Sequence, residues 1–380
     1  MIKLGFGTTI INRVKSEGRV DGIGTYAIEL HNQLSNLKKD IEIHPFSVKP
    51  DFFKKNLIAE DDLNLGYFKP QVLFSSLTGL PFLGEKALTH HVDIVHATDH
   101  YIPRVSGKPQ VATLMDAIPL SHPAWASSEF RRIKNYFWRE TAQWADKIIT
   151  ISEFSKDQIS EHFKISSDKI ISIPLGVDKK WFKKLSTEHI NKVLSKHSIT
   201  KNFFISVGTI QPRKNMQRVI KAYQSLPERI KKETLLVIVG SRGWGCDELV
   251  ANLKSGAYGS SVVWLYHLPE DELLALMNSA VALVFPSLFE GFGLPVLEAF
   301  ASGTAVITSN TTSLPEVAGD AALIVDPEDV NAIAQSMSDI IENDYLRADM
   351  VRRAKVRAQD FTWKRTALET IKVYQDVING

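Results

Sequence analysis

The sequence predicts an α/β protein built from two doubly wound parallel sheets. Short β-branched runs alternate with longer amphipathic segments along the whole chain, the pattern of parallel α/β units. Those runs are apolar on both faces, as strands covered by helices on each side should be. At 380 residues the chain is long for one core, so two domains of ordinary size are expected.

In the first half the strand candidates are IKLGFG (2–7), DIVHAT (93–98), QVATLMD (110–116), KIITIS (147–152) and KIISIP (169–174). The second half offers NFFISVG (202–208), TLLVIVG (234–240), VVWLYH (262–267), VALVFPS (281–287), AVITS (305–309) and ALIVD (322–326). The boundary is placed after IPLGVDKKWF (173–182), where a strand ends in Pro174 and Gly176 and charge breaks the pattern. The first domain then covers 1–180 and the second 181–362. The last segment carries Trp363, Ala367, Ile371, Tyr374 and Ile378 at helical spacing, with no strand after it. A helix over 363–380 is therefore expected to cross back to the first domain.

Charge is nearly balanced, at 45 basic against 43 acidic residues, so no nucleic-acid or other polyelectrolyte partner is implied. The single cysteine, Cys246, excludes an internal disulfide framework. The opening MIKLGFGTTI lacks the marks of a secretory signal, and no apolar run approaches the roughly 20 residues that cross a bilayer. A cytoplasmic, soluble protein is expected. His90, His91, His96 and His100 have neither metal-ligand spacing nor a cysteine cluster beside them, so no metal is expected.

One segment, SSEFRRIKNYFWRETAQWADKI (127–148), places Phe130, Ile133, Phe137, Thr141 and Trp144 on one helical face and most of its arginines and lysines elsewhere. It reads as an amphipathic helix packed on its sheet. The sharper alternative is contact with anionic lipid, with KPDFFKKN (49–56) and KKWFKK (179–184) on the same surface.

Four stretches carry the chemistry, since ligands of such sheets bind beyond the strand C-termini. In FEGFGLPVLEAFASG (289–303), Pro295 marks a helix start and Gly303 its stop, with Glu290 before the start and Glu298 expected in the first turn. In SVGTIQPRKNMQRVI (206–220), Arg213 and Lys214 stand just before a helix, where the dipole prefers acids. An anion bound between them would resolve that conflict; a pair of solvated cations is the alternative. A ligand with both phosphates and vicinal hydroxyls accounts for these groups together. The cations and backbone amides take a diphosphate, Glu298 takes ribose hydroxyls, and Glu290 takes those of a sugar on the far phosphate. That ligand is a nucleotide-sugar. The backbone at Gly208 and Thr209 and the turn Gly291, Phe292, Gly293, Leu294 complete the candidate donor contacts. In DGIGTYAIEL (21–30), Gly22 and Gly24 precede a helix and leave room for a phosphate, although a tight helix entry without ligand explains that stretch by itself. In TLMDAIPLSHP (113–123), Asp116 ends a strand, either as a catalytic group or as a turn cap before Pro119.

Together VGTIQPRKN, GSRGWG (240–245), FPSLFEGFGLPVLEAFASGTAVITSN (285–310) and SLPEVAGDAALIVDP (313–327) resemble the retaining family 4 glycosyltransferases, particularly bacterial mannosyltransferase-like members that build O-antigen and other surface polysaccharides. The resemblance extends to GIGTY, HATDHY, MDAIPLSHP, ISEFSKDQI and IPLGVD, and so covers nearly the whole chain. It implies the GT-B fold, two facing Rossmann-like domains. The donor would be held mainly by the second domain, and a saccharide acceptor, in some members lipid-linked, by the first. It implies no metal and no cofactor. The Arg213–Lys214 pair would neutralise the leaving diphosphate, Glu290 contact the donor sugar and Glu298 the ribose. The base would lie near His267 and Leu268, and Gly22 and Gly24 would approach the phosphates. Weak association with the inner face of the cytoplasmic membrane fits the same reading.

Two positions depart from the family pattern. Many members read His-Asp where this chain has Met115–Asp116, and that histidine helps to position the donor sugar. Many carry Arg where Thr209 stands, which leaves Arg213 to serve for both cations. GDP-mannose is the donor the resemblance suggests. A nucleotide-sugar epimerase or a non-catalytic sugar-nucleotide binder on the same fold are the alternatives.

Overall fold

The computed structural model describes residues 1–18, 20–50, 59–125 and 131–380. They divide into two compact units, Met1–Gly176 with Trp363–Gly380, and Val177–Thr362.

The first unit holds a seven-stranded sheet of β1 (Ile2–Gly7), β2 (Ile41–Lys49), β3 (Leu63–Tyr67), β4 (Ile94–Ala97), β5 (Gln110–Thr113), β6 (Lys147–Thr150) and β7 (Ile170–Ser172), in the order β3-β2-β1-β4-β5-β6-β7. Every pairing is parallel. β2 and β3 are absent from the strands read in the sequence. β2 carries Pro45 in its middle and buries only part of its length, and β3 is five residues interrupted by Gly66, so neither shows a continuous apolar run.

The last helix, Trp363–Asn379, belongs to this unit and packs against the Gly22–Ser35 helix. It buries Trp363, Ala367, Ile371 and Tyr374 but leaves Ile378 exposed. A buried polar chain fixes it. Tyr374 Oη shares a hydrogen bond with His96 Nδ1 at 2.7 Å, and His96 Nε2 meets Thr113 Oγ1 at 2.8 Å. Thr113 Oγ1 also meets Tyr26 Oη at 2.8 Å. Burial holds His96 neutral, its pKa down to about 3, and raises both tyrosines.

The second unit holds β8 (Asn202–Val207), β9 (Thr234–Val239), β10 (Val262–Leu265), β11 (Ala282–Phe285), β12 (Ala305–Ser309) and β13 (Leu323–Val325), in the order β10-β9-β8-β11-β12-β13. All are parallel. Its core lies between the sheet and helices such as Met216–Gln224, through Phe204, Val219, Ile220, Tyr223 and Ile307. In each sheet the chain winds outward both ways from a central pair, β1/β4 and β8/β11. The crevice at such a switch point is where α/β sheets receive ligands.

Two surface expectations change. The helix at Arg131–Ala142 does not bury Ile133, which is 55% exposed; the residues before it, including Phe130, lie outside the described residues. In KKWFKK, Trp181 is a core residue rather than a surface aromatic, and Lys180 is ion-paired. All of KPDFFKKN beyond its first two residues lies outside the described residues. Among the described residues no helix is long and apolar enough to cross a membrane.

Candidate active site

The second unit's switch point gathers the charged motif. β8 runs into Gly208, then a one-turn 3-10 helix at Pro212–Lys214, then Asn215 in the left-handed region at φ +60°, and only then the helix Met216–Gln224. Arg213 and Lys214 thus stand just before that helix, as expected, on a short turn of their own. Neighbouring β11 leads through Phe289 and Glu290 to Gly293, whose φ of +125° caps the helix Leu294–Ser302 without a side-chain cap. A Cβ at Gly293 would come within 2.8 Å of Leu314 Cδ2, so both conformation and space require glycine there.

Three charges close on each other in this crevice. Arg213 Nη1 donates to Glu290 Oε2 at 2.8 Å, and Lys214 Nζ donates to Glu290 Oε1 at 2.6 Å. Lys214 Nζ also lies 4.7 Å from the centre of the Phe285 ring, a cation–π contact from below. The conflict expected of two adjacent cations is thus resolved inside the protein. Glu290 supplies the negative charge, where the sequence suggested a bound anion.

The surrounding backbone is held as tightly. Arg213 Nη1 donates to the Phe289 carbonyl at 3.0 Å, and the Arg213 carbonyl accepts from Leu288 N at 2.8 Å. Buried Asn215 donates through Nδ2 to the carbonyls of Pro286 at 2.9 Å and Pro327 at 2.6 Å. Ser313 Oγ donates to the carbonyls of Glu290 and Phe292 at 2.9 and 2.8 Å. Glu290, Phe292 and Gly291 are all buried in this turn. Asn215 and Ser313 were quoted inside motifs but not singled out. Their polar side chains in apolar surroundings were the available signal, since buried amides and hydroxyls need partners.

Burial works against the Glu290 charge, but Lys214 and Arg213 outweigh it and hold the carboxyl below its usual range. For Lys214, burial is the largest influence; the like charge of Arg213 adds to it, Glu290 opposes, and the ammonium pKa falls. Two cations and one carboxylate leave the cluster one charge positive, which favours a further anion. A lysine ammonium has three donors, so Lys214 can serve the carboxylate and a phosphate together.

Glu298 falls beyond the first turn of Leu294–Ser302, not in it, and is half-buried. Burial pushes its carboxyl up to about 7; Lys180 and Lys214 oppose that, while Glu270 and Asp178 add to it. Lys180 bonds Glu270 at 2.5 Å and Asp178 at 3.3 Å, and its turn packs on the Leu294–Ser302 helix. Lys180 and Glu270 did not figure among the sequence candidates, because 118 positions of sequence separate Lys180 from Glu298. His267 and Leu268 follow β10 after Tyr266, His267 exposed and left-handed at φ +55°. They lead to Glu270, the first residue of the helix Glu270–Ser279.

The remaining candidates lie in the first unit. Gly22 and Gly24 sit inside the helix Gly22–Ser35 rather than before it, and Asp21 caps it by accepting from Gly24 N at 2.9 Å. A Cβ on Gly24 would meet Val14 Cγ2 at 2.7 Å, so helix packing explains that glycine; around Gly22 the space is open. β5 ends at Thr113, before Met115 and Asp116. Asp116 Oδ1 accepts from Ile118 N at 3.0 Å, the turn-capping geometry.

Comparison with known proteins gives the family and the fold. Residues 20–181 match the model of Glycosyltransferase Family 4, and residues 188–357 that of Glycosyl transferases group 1. The O-antigen chain mannosyltransferase B of Escherichia coli is 32% identical over 367 residues, covering 93% of this chain and 96% of that protein. The chain belongs to the family 4 glycosyltransferases. As in other family 4 glycosyltransferases of the GT-B fold, both units are Rossmann-like. Sucrose-phosphate synthase from Thermosynechococcus elongatus superposes with a TM-score of 0.73 at 18% identity, covering 100% of both chains. Anabaena Alr3699/HepE, solved in complex with UDP-glucose, superposes with a TM-score of 0.72 at 16% identity, over 99% of this chain and 100% of that one.

Proposed function

We propose that this glycosyltransferase moves mannose from GDP-mannose to a saccharide acceptor with retention at the anomeric carbon, in building a surface polysaccharide such as O-antigen. The acceptor is lipid-linked and the enzyme works peripherally at the inner face of the cytoplasmic membrane. The observation that carries the reading is the Arg213–Lys214–Glu290 cluster, net positive, at the second unit's switch point beside an uncapped helix start. The O-antigen mannosyltransferase relative supports mannose as the sugar.

In this reading the diphosphate lies against Arg213, Lys214 and the Leu294 amide. The transition state puts positive charge on the sugar and negative charge on the departing phosphate. Cations fixed in advance at that phosphate stabilise the transition state more than the ground state. They also bring the charge that a metal would otherwise supply, so the reaction is metal-independent. Glu290 turns from the cations to accept sugar hydroxyls, Glu298 accepts from the ribose, and His267 and Leu268 flank the base. Gly208, Thr209, Gly291, Phe292 and Leu294 complete the donor contacts. The first domain, with its returning helix, holds the acceptor. A phosphate oxygen takes the acceptor proton, so no protein nucleophile is required.

A thermal-shift panel of nucleoside diphosphates and their sugars tests the donor, because a ligand stabilises the fold according to its affinity. GDP-mannose should give the largest shift. Transfer to a mannose-terminated acceptor should yield an α-linked product by NMR and survive EDTA. No shift from any nucleotide, or an inverted anomer, would overturn the reading.

A further inference from the structure

Large apolar side chains lie exposed along one part of the first unit. The helix Phe68–Thr78 exposes Leu73 and Leu77 one turn apart, Leu77 to 77%. In the loop that follows, Phe82 is buried, its N–H donates to the Arg104 carbonyl at 2.9 Å, and its ring packs with Phe68 and Trp144. That anchor pins the loop and turns Leu80 and Leu83 outward, Leu83 to 70%. The helix Arg131–Ala142 packs against Phe68–Thr78 and exposes Ile133 and Tyr136. Six large side chains on two touching helices and their loop differ from the single exposed leucines of ordinary surfaces.

The exposed charge around them is mostly positive. Arg132, Lys134 and Arg139 are exposed on the second helix and Lys86 just past the loop. None of the four forms an ion pair among the described residues. Positions 68–84 hold no Asp or Glu, and positions 131–142 hold only Glu140.

The geometry points to this face as a docking surface for an anionic lipid bilayer, with the leucines, Ile133 and Tyr136 entering the headgroup region and the cations on lipid phosphates. A bilayer offers what the patch lacks, apolar depth under spread negative charge. A second copy of the chain does not, because a two-fold contact would set the same cations against each other. The inference deepens the proposal of a membrane-borne acceptor by naming the surface, and it is tested without any sugar transfer.

The full chain is floated with phosphatidylglycerol–phosphatidylethanolamine vesicles and, in parallel, with pure phosphatidylcholine vesicles. It should rise with the first, much less with the second, and be released by high salt. The double variant Leu77→Ser/Leu83→Ser should weaken partitioning by about tenfold per leucine. Arg132→Glu/Lys134→Glu should weaken it by roughly fivefold for each cation lost. All four side chains are exposed, so the variants should keep the parent's melting temperature and donor binding. The inference is overturned if the parent stays with the protein pellet, if the variants float like the parent, or if the leucine variant instead dissolves a dimer seen by light scattering. Transfer to a soluble acceptor by a chain that never floats would sink the surface and leave the proposed activity standing.

Discussion

Replacing Glu290 by Gln keeps the shape of the side chain and removes its charge. Arg213 and Lys214, with side-chain exposures of 21% and 10%, then face each other with no carboxylate between them. Removing one member of a buried ion pair costs about 3–5 kcal/mol, since the remaining charge stays desolvated. Arg213 keeps its bonds to Gln211 and the Phe289 carbonyl, which places the effect toward the lower end. In a unit of this size each kcal/mol lowers the melting temperature by about 2–4 °C, so E290Q should melt roughly 6–12 °C below the parent. Pyrophosphate then serves as the diagnostic ligand, because it refills the lost charge without reading a base or a sugar. A ligand at a hundred times its Kd stabilises by about 2.7 kcal/mol. At a fixed concentration pyrophosphate should stabilise E290Q more than the parent, since in the parent Glu290 competes for the same cations. Differential scanning calorimetry with and without pyrophosphate measures both effects. An E290Q melting point within about 2 °C of the parent, under 1 kcal/mol on this scale, together with equal pyrophosphate shifts, would refute the counter-ion role.

Arg213→Ala should lower kcat by about a hundredfold, the scale of losing one fixed donor to developing negative charge; steady-state assay of a folded variant showing under threefold loss removes Arg213 from the mechanism. On the proposed function Glu298, with its pKa raised to about 7, accepts ribose hydroxyls more strongly when ionised. Donor affinity measured by calorimetry should therefore fall about tenfold per pH unit below 7, lose that dependence in Glu298→Gln, and shift its midpoint upward in Lys180→Met. For His96 the folded pKa of about 3 lies below its ordinary 6.5, so the unfolded chain binds the proton first. Stability is complete above pH 6.5 and should be lost by about 1.4 kcal/mol for each unit below it, which urea melts at stepped pH would show. Tyr374→Phe leaves His96 Nδ1 buried without its partner and should cost about 1–3 kcal/mol in the same melts.

The sequence made the two sheets legible wherever strands are buried on both faces, because a run such as TLLVIV has no other stable setting. It concealed β2, where a proline and partial burial imitate a loop, and it stretched β5 to Asp116, three residues past the strand's end at Thr113. From the cation pair, local electrostatics showed that the crevice needs a negative charge, which Glu290 supplies. That Glu290 would sit between the cations was not readable, since 76 positions separate it from Lys214 and only the sheet order brings β8 beside β11. The Lys180–Glu270 pair escaped for the same reason. Ile133 was misassigned because helical periodicity shows which residues share a face but not what covers that face.

The pairing of Glu290 with both cations has a consequence for how such a site can exist before its substrate arrives. Two neighbouring cations in a crevice with little solvent repel each other, and without a counter-charge the turn at Pro212–Lys214 would open toward water. A carboxylate on the facing loop, whose backbone carbonyl accepts from Ser313, holds both cations in place. Binding then becomes an exchange of anions, in which the ligand recovers only the difference between its own contacts and those of Glu290. A monoanion gains little from such an exchange, whereas a diphosphate brings more charge and more acceptors than the carboxylate it displaces. On the proposed function, the released Glu290 would be left beside the sugar, where its acceptor oxygens would find hydroxyls. Selectivity for a diphosphate joined to a sugar would then follow, on the same proposal, from one side chain with two uses, and that side chain would tie the fold's stability to the chemistry.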